Sequence, residues 1–112
     1  MTEPDIQFKR GSNIPYHDLT LYRPDAPDTP LPLAGAEVRL VAKSRLTGEI
    51  VIDRTLEILD PAAGLVRFRR EADEFPKGEI CRAEIVVSFA NGDILILPKT
   101  GQYKLVIEDS LV

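Results

Sequence analysis

EICRAEIVVSFANGDILILPKTGQYKLVIED, residues Glu79–Asp109, contains alternating apolar runs joined by turns. Cys81, Ala83, Ile85, Val87 and Phe89 fall on every second position, with Arg82, Glu84, Val86 and Ser88 between them. Successive side chains of a strand point to opposite faces, so this spacing predicts a strand with one buried and one solvated face. Asn91-Gly92 follows at once, the dipeptide best suited to the two positive φ angles of a type I′ hairpin turn. Ile94-Leu95-Ile96-Leu97 then returns along the first strand, Pro98 and Gly101 interrupt it, and Tyr103, Leu105 and Ile107 resume the alternation. This long hairpin is the frame on which the rest of the chain can fold. No set of residues within it demands an active site.

Upstream, Met1–Pro4 reads as a loose end (residues 1–5 with the residue that follows), and Ile6–Lys9 alternates as a short first strand. Arg10-Gly11-Ser12-Asn13 is a turn cluster. Tyr16–Tyr22 reads as a second strand, with Leu19 and Leu21 on one face and Asp18 and Thr20 on the other. Arg23–Gly35 places Pro24, Pro27, Pro30 and Pro32 in a short span. Proline lacks a backbone donor and fixes φ, so residues 23–35 are expected to be a stiff surface loop.

Ala36–Lys43 alternates again, with Val38, Leu40 and Ala42 inward. A turn at Leu46-Thr47-Gly48 leads into Glu49–Leu59, where Asp53-Arg54 predicts a bulge or a break into two strands. Asp60–Gly64 is a turn with proline early and glycine late. Leu65–Arg69 forms a further strand with Val66 and Phe68 on one face, and Glu71–Lys77 has room for one helical turn before Pro76. About seven to nine short strands separated by turns predict a single all-β domain over residues 1–112, a sandwich or barrel.

Length and composition agree with one such core. A chain of 112 residues buries roughly 60–70% of its unfolded surface, enough without metals or disulfides. The net charge of −4 lacks the basic surplus of a duplex-binding domain, so nucleic acid is not expected as a partner. No apolar run approaches the ~20 residues of a membrane helix, and no membrane partner is expected. MTEPDIQFKRG lacks the charged-then-apolar order of a signal peptide, so synthesis in a cytoplasm is the expectation.

Candidate chemistry is sparse. His17 is the only histidine, and adjacent Asp18 would point to the other face of the strand, so a catalytic triad is not expected. His17 reads as a surface or rim residue. Cys81, the only cysteine, lies on the apolar face of its strand and reads as a small buried hydrophobe. Asp25, Asp28, Asp53, Asp60 and Asp73 lie in or near turns but lack the dense spacing of a calcium loop. Arg67, Arg69 and Arg70 form a basic run that Glu71, Asp73 and Glu74 neutralise, so a solvated face is expected. Glycine-rich phosphate loops are absent, and the chain contains no tryptophan for a stacking platform. Neither an enzyme nor a cofactor is expected.

Three segments taken together carry a resemblance: Phe8–Gly11 followed by Leu19-Thr20-Leu21, then Pro32–Leu40 (PLAGAEVRL), then the hairpin Glu84–Val106. The chain resembles the small immunoglobulin-like domain of tailed-phage and prophage tail proteins, notably the N-terminal domain of baseplate upper proteins. Arg10–Asn13 stands for that family's early turn, Pro32–Ala36 for the segment that introduces its next strand, Asp60–Gly64 for its mid-chain turn, and Gly78–Ile85 for its following strand. The Asp25–Pro32 loop is longer and richer in proline than the family pattern.

The resemblance implies an immunoglobulin-like antiparallel β-sandwich. It also implies a non-enzymatic structural or adapter role in a virion, with other tail or baseplate proteins as partners and a homo-oligomer as a further possibility. The chain ends at Val112 without a receptor-binding extension, so docking rather than host contact is the expected role. Ile94 and Ile96 alternate with Leu95 and Leu97, leaving both faces of that strand apolar. The strand is either covered on both sides within the fold or presents its outer face to a partner. Ile94 and Ile96, with Pro27 and Pro30 of the proline-rich stretch, are the candidate interface residues. The competing reading is a ligand- or carbohydrate-binding immunoglobulin-like module of a bacterial surface protein, which calls for a secretion signal and an aromatic cluster.

Overall fold

A computed structural model describes residues 6–14, 16–71, 74–109 and 111. Among them are eleven strands and no helix: β1 (Ile6–Lys9), β2 (His17–Thr20), β3 (Tyr22–Arg23), β4 (Ala26–Pro30), β5 (Glu37–Ser44), β6 (Ile50–Thr55), β7 (Glu57–Asp60), β8 (Leu65–Phe68), β9 (Glu79–Ser88), β10 (Ile94–Leu97) and β11 (Tyr103–Glu108). The expected loose end at residues 1–5 lies outside the described residues.

β9 is the hub of the larger sheet, whose order is β1-β11-β9-β5-β6, with β10 also paired to β9. β5 runs along one edge of β9 from Cys81 to Ser88. The opposite edge is shared: β11 pairs with Glu79–Ala83 and β10 with Ile85–Ser88. Pro98–Gln102 spans the gap between β10 and β11, as the interrupted alternation predicts. β1 joins β11 in parallel, Ile6 opposite Leu105, so this sheet is mixed.

The smaller sheet, β2-β8-β7, faces it, and a single buried cluster fills the space between them. Val38, Leu40, Ala42, Ile85 and Val87 of the larger sheet belong to that cluster, with Leu19, Val66 and Phe68 of the smaller. The inward faces chosen by alternation are the buried ones. The all-β sandwich expected from the sequence is the architecture observed.

Five local expectations differ from the structure. The hairpin tip is not type I′: Gly92 has φ +96°, while no non-glycine residue has positive φ. Gly92 N donates to Phe89 O (3.0 Å) and Phe89 N to Asp93 O (2.8 Å), closing a three-residue loop whose last residue alone is left-handed. Asn91 acts through its side chain, its Oδ1 accepting from Asp93 N at 3.0 Å.

Asp53-Arg54 does not break β6. Asp53 faces solvent and accepts from Arg39 Nε (3.1 Å) and Nη2 (2.9 Å), while Arg54 reaches the Arg69 carbonyl and Glu74. The interruption lies instead at Leu56, which is buried and donates its N–H to Val38 O at 2.7 Å. There the chain passes from one sheet to the other.

Tyr16–Tyr22 is not one strand, and Arg23–Gly35 is not all loop. Leu21 lies between β2 and β3; its N–H goes to Gly64 O and its carbonyl accepts from Leu31 N, both at 2.8 Å. β3 then pairs with β4 in a two-stranded ribbon, Tyr22 opposite Pro30 and Arg23 opposite Ala26, with a register shift between. A two-stranded ribbon leaves each strand with a free edge, where prolines forfeit no ladder bond. In Glu71–Lys77, Glu74 N donates to Glu71 O (3.3 Å), and the described part forms no helix.

Candidate docking site

β10 combines exposed apolar side chains with an unpaired strand edge among the described residues. Ile94 lies opposite Ser88 and Ile96 opposite Val86 on the outer face, where they are 66% and 48% exposed. Leu97 points inward and is buried, and Leu95 packs against the core. The outer face of β10 is therefore uncovered among the described residues.

Its backbone is also half unused. Opposed residues of an antiparallel pair alternate between exchanging hydrogen bonds and not. The Phe89–Asp93 bond sets the phase, so Leu95 and Leu97 bond to Val87 and Ile85. Ile94 and Ile96 then direct their N–H and C=O groups away from β9, and among the described residues no strand pairs with that edge. The other edge strands carry charges: Lys9 on β1, Asp18 on β2, Asp53 and Arg54 on β6, Glu57 and Asp60 on β7. β10 has none. An uncharged, apolar, open edge is a ready template for another strand.

The ribbon β3–β4 stands beside this edge and bounds two recesses. One, of about 270 Å³, lies at the Leu97 end and is lined by Ile6, Leu19, Leu21, Ile85 and Leu97 from the core. Pro24, Pro27 and Pro98 roof it, and Tyr103, whose hydroxyl pKa is raised by burial, contributes to its wall. The second, wider and of about 630 Å³, lies at the Ile94 end between Phe89, Leu95 and Leu31. Arg23 and Pro24 line both. Arg23 donates from Nε and Nη2 to Asp25 at 3.1 and 3.0 Å. The Asp25 carboxyl is held below its ordinary range first by that bond, with the charges of Arg23 and Lys99 adding.

The structure thus brings together part of the candidate interface. Pro27 lines the first recess and Ile94 the second, so the ribbon and β10 share one groove. Ile96 is on the outer face beside it, and Pro30 pairs with Tyr22 without lining either recess. Arg23, Lys99, Pro98 and Tyr103 escaped the sequence reading. Only the interruption at Pro98 hinted that a recess opens between β10 and β11.

The remaining candidates are structural. The His17 ring stacks on Phe68 (centroids 6.4 Å apart) and leans on Phe8 (5.9 Å), half-buried rather than on the surface. Its Nε2 is buried and has no hydrogen-bond partner among the described residues. Asp18 points away and accepts from Arg67 at 2.7 and 3.0 Å. Cys81 is fully buried and its thiol is pushed up to about 11, mainly by burial.

Arg67 and Arg69 lie on the solvated face, flanking the Tyr16 ring at 5.0 and 4.6 Å. Arg70 does not: it is 4% exposed, donates to Ser12 O (2.9 Å) and Ser12 Oγ (3.2 Å), and lies over Phe8 at 4.3 Å. Arg70 falls two residues after Phe68, past the end of β8, and keeps the inward parity of Val66 and Phe68. Asp25, Asp53 and Asp60 are engaged by Arg23, Arg39 and Ala63 N, and Asp73 lies outside the described residues. Among the described residues no three acidic, histidine or cysteine side chains converge on a metal-sized site. No protein-family model matches the chain, and no curated protein matches it in sequence.

Proposed function

We propose that this chain is a non-enzymatic, immunoglobulin-like docking module of a tailed-phage or prophage tail or baseplate, binding other virion subunits. The observation that carries the docking part is the open, uncharged edge of β10 with Ile94 and Ile96 exposed beside the ribbon groove. An edge of this kind is a hazard in a free monomer and an asset in an assembly.

The immunoglobulin-like part is supported by strand order. Lettered along the chain, β1 is A, β2 B, β5 and β6 C and C′, β7 D, β8 E, β9 F, and β10 with β11 G. The sheets become A-G-F-C-C′ and B-E-D, close to the partition of an immunoglobulin-like sandwich. The ribbon β3–β4 is an insertion between B and C. No disulfide joins B to F, since Cys81 of β9 is free and β2 carries Leu19 inward.

The tail assignment draws on the sequence resemblance, whose segments fall on β1, β2, the lead into β5, and the β9–β10–β11 unit. Mass spectrometry of tail particles purified from the phage or induced lysogen encoding the chain tests it. The chain should be present in a fixed ratio to the major tail proteins, and Ile94→Asp with Ile96→Asp should remove it. Particles that lack the chain, or that retain the double variant at full ratio, would overturn the reading.

A further inference from the structure

The geometry points to a specific kind of occupant for the groove: an extended segment of a partner protein that adds to β10, seats one apolar side chain in the recess at Leu97, and presents a carboxylate to Arg23 and Lys99. This rests on the docking reading and names the chemistry of the partner. The backbone decides the first element. Ile94 and Ile96 offer two N–H and two C=O groups at an open edge, and an extended main chain satisfies such a row in register.

The recess decides the second. Its floor is made of core residues, among them Leu19, Ile85 and Leu97, in a volume of about 270 Å³, room for one large aliphatic side chain. β10 spans about 14 Å at ~3.4 Å per residue, so a strand laid along it places every second side chain over the groove, about 7 Å apart. One such side chain meets the recess at Leu97 and another the wider recess at Ile94.

Charge decides the third. The charged residues lining the first recess are Arg23 and Lys99, both cationic. Asp25 engages Arg23 through Nε and Nη2 and does not line the recess. With Asp25 offsetting Arg23, the Lys99 ammonium leaves the mouth with a net positive charge, on a chain whose net charge is −4. A carboxylate within two residues of the apolar anchor complements that mouth, and an ammonium there is repelled.

The test uses the isotope-labelled full chain and nuclear magnetic resonance titration with three nine-residue peptides. The first alternates threonine with leucine and carries one glutamate two residues from the central leucine. The second replaces that glutamate with lysine, and the third is N-methylated on its edge-facing amides. The expected result is saturable amide shifts at Ile94–Leu97 and Lys99 with the glutamate peptide, and at least ~10-fold weaker binding of the other two. Lys99→Glu and Pro27→Glu, both surface changes, should weaken the glutamate peptide as much while leaving the spectrum folded. Equal binding of the lysine peptide at β10 would overturn the carboxylate-and-anchor proposal and leave the docking reading standing.

Absence of shifts at β10 with the glutamate peptide would overturn the proposal too; the particle experiment on Ile94→Asp with Ile96→Asp then judges the docking reading independently. Two other occupants are excluded or revealed by controls. Saturable binding of octanoate where the peptides fail makes the recess a small-molecule site. A light-scattering mass that doubles with concentration, and reverts with Ile96→Asp, makes a second copy of this chain the occupant. Either overturns the proposal.

Discussion

Gly64 accepts the Leu21 N–H on its carbonyl at 2.8 Å, and a Cβ on Gly64 would lie only 2.6 Å from the Leu21 carbonyl oxygen. The turn between β7 and β8 is thus pressed against the bend where the chain leaves β2 for the ribbon. Leu31 closes the same contact, its carbonyl and amide nitrogen lying 3.0 and 3.2 Å from that Cβ position. Gly64 holds the groove-forming ribbon to the sandwich.

Gly64→Ala should therefore be among the most damaging small substitutions in the chain. Gly92 supplies the control, since it too has positive φ (+96°, against +67° for Gly64) but open space around its Cβ position. Gly92→Ala should cost about 1–2 kcal/mol for the left-handed backbone alone. Gly64→Ala adds a backbone clash that no side-chain rotation relieves and should cost about 3 kcal/mol or more. Urea unfolding of both variants checks this; equal losses would show that the turn and the bend separate freely.

His17 sets a pH dependence with a definite sign. Burial first, then the Arg70 charge, lowers its pKa below the ordinary 6.5, against a smaller opposing pull from Asp18. Between the folded-state pKa and 6.5 the unfolded chain holds more protons, so stability rises with pH across that window. Neutral His17 contributes fully above 6.5 and its contribution fades as the pH falls through the window. Asp18, held low first by the Arg67 hydrogen bond, loses its contribution only below 3.8, a separate range. The urea midpoint should fall between pH 7.5 and pH 5, and His17→Phe should flatten that slope. An unchanged slope in the variant would assign the effect elsewhere.

Cys81 should be chemically silent in the folded protein. With its thiol pushed up to about 11, the thiolate is about one part in a thousand at pH 8, and the sulfur is fully buried between β11 and β5. Ellman's reagent should react at a rate set by opening of the fold, rising with urea in step with unfolding. Prompt stoichiometric reaction in native buffer would mean that β9 opens locally at its first half.

What the sequence reveals follows from where a side chain's environment is set. In β5 and β9 each residue's environment depends on parity alone, so Val38, Leu40, Ile85 and Val87 were readable as core. Arg70 sits past the end of β8, and its burial depends on Ser12 and Phe8, which the chain brings in from 58 and 62 residues away. The four prolines marked residues 23–35 as irregular, but not that a two-stranded ribbon tolerates proline on a free edge. The break at Leu56 is displaced from Asp53-Arg54 because both charges are satisfied in place, Asp53 outward by Arg39 on β5 and Arg54 on the other face by the Arg69 carbonyl and Glu74 beyond β8, which leaves β6 uninterrupted.

The candidate site was legible in half. Four consecutive apolar residues on one strand announced an unusual face, and Ile94 and Ile96 proved to be the exposed pair. The recess was not legible, because its floor is core from four strands and its cations come from Arg23 and Lys99, 76 positions apart.

The edge itself makes the last prediction. Ile94 and Ile96 contribute little to a core that does not cover them, so Ile94→Lys with Ile96→Lys should shift unfolding free energy by no more than about 0.5 kcal/mol per site. The same change places two like charges on an edge strand that lacks them, which should suppress strand-to-strand association. Turbidity during slow heating and light scattering at high concentration should both fall relative to the unsubstituted chain. A loss of more than about 2 kcal/mol would mean that these isoleucines are packed within the chain in solution. Unchanged aggregation with full stability would point to another surface as the sticky one, and β10 would then lose its claim to be the docking edge.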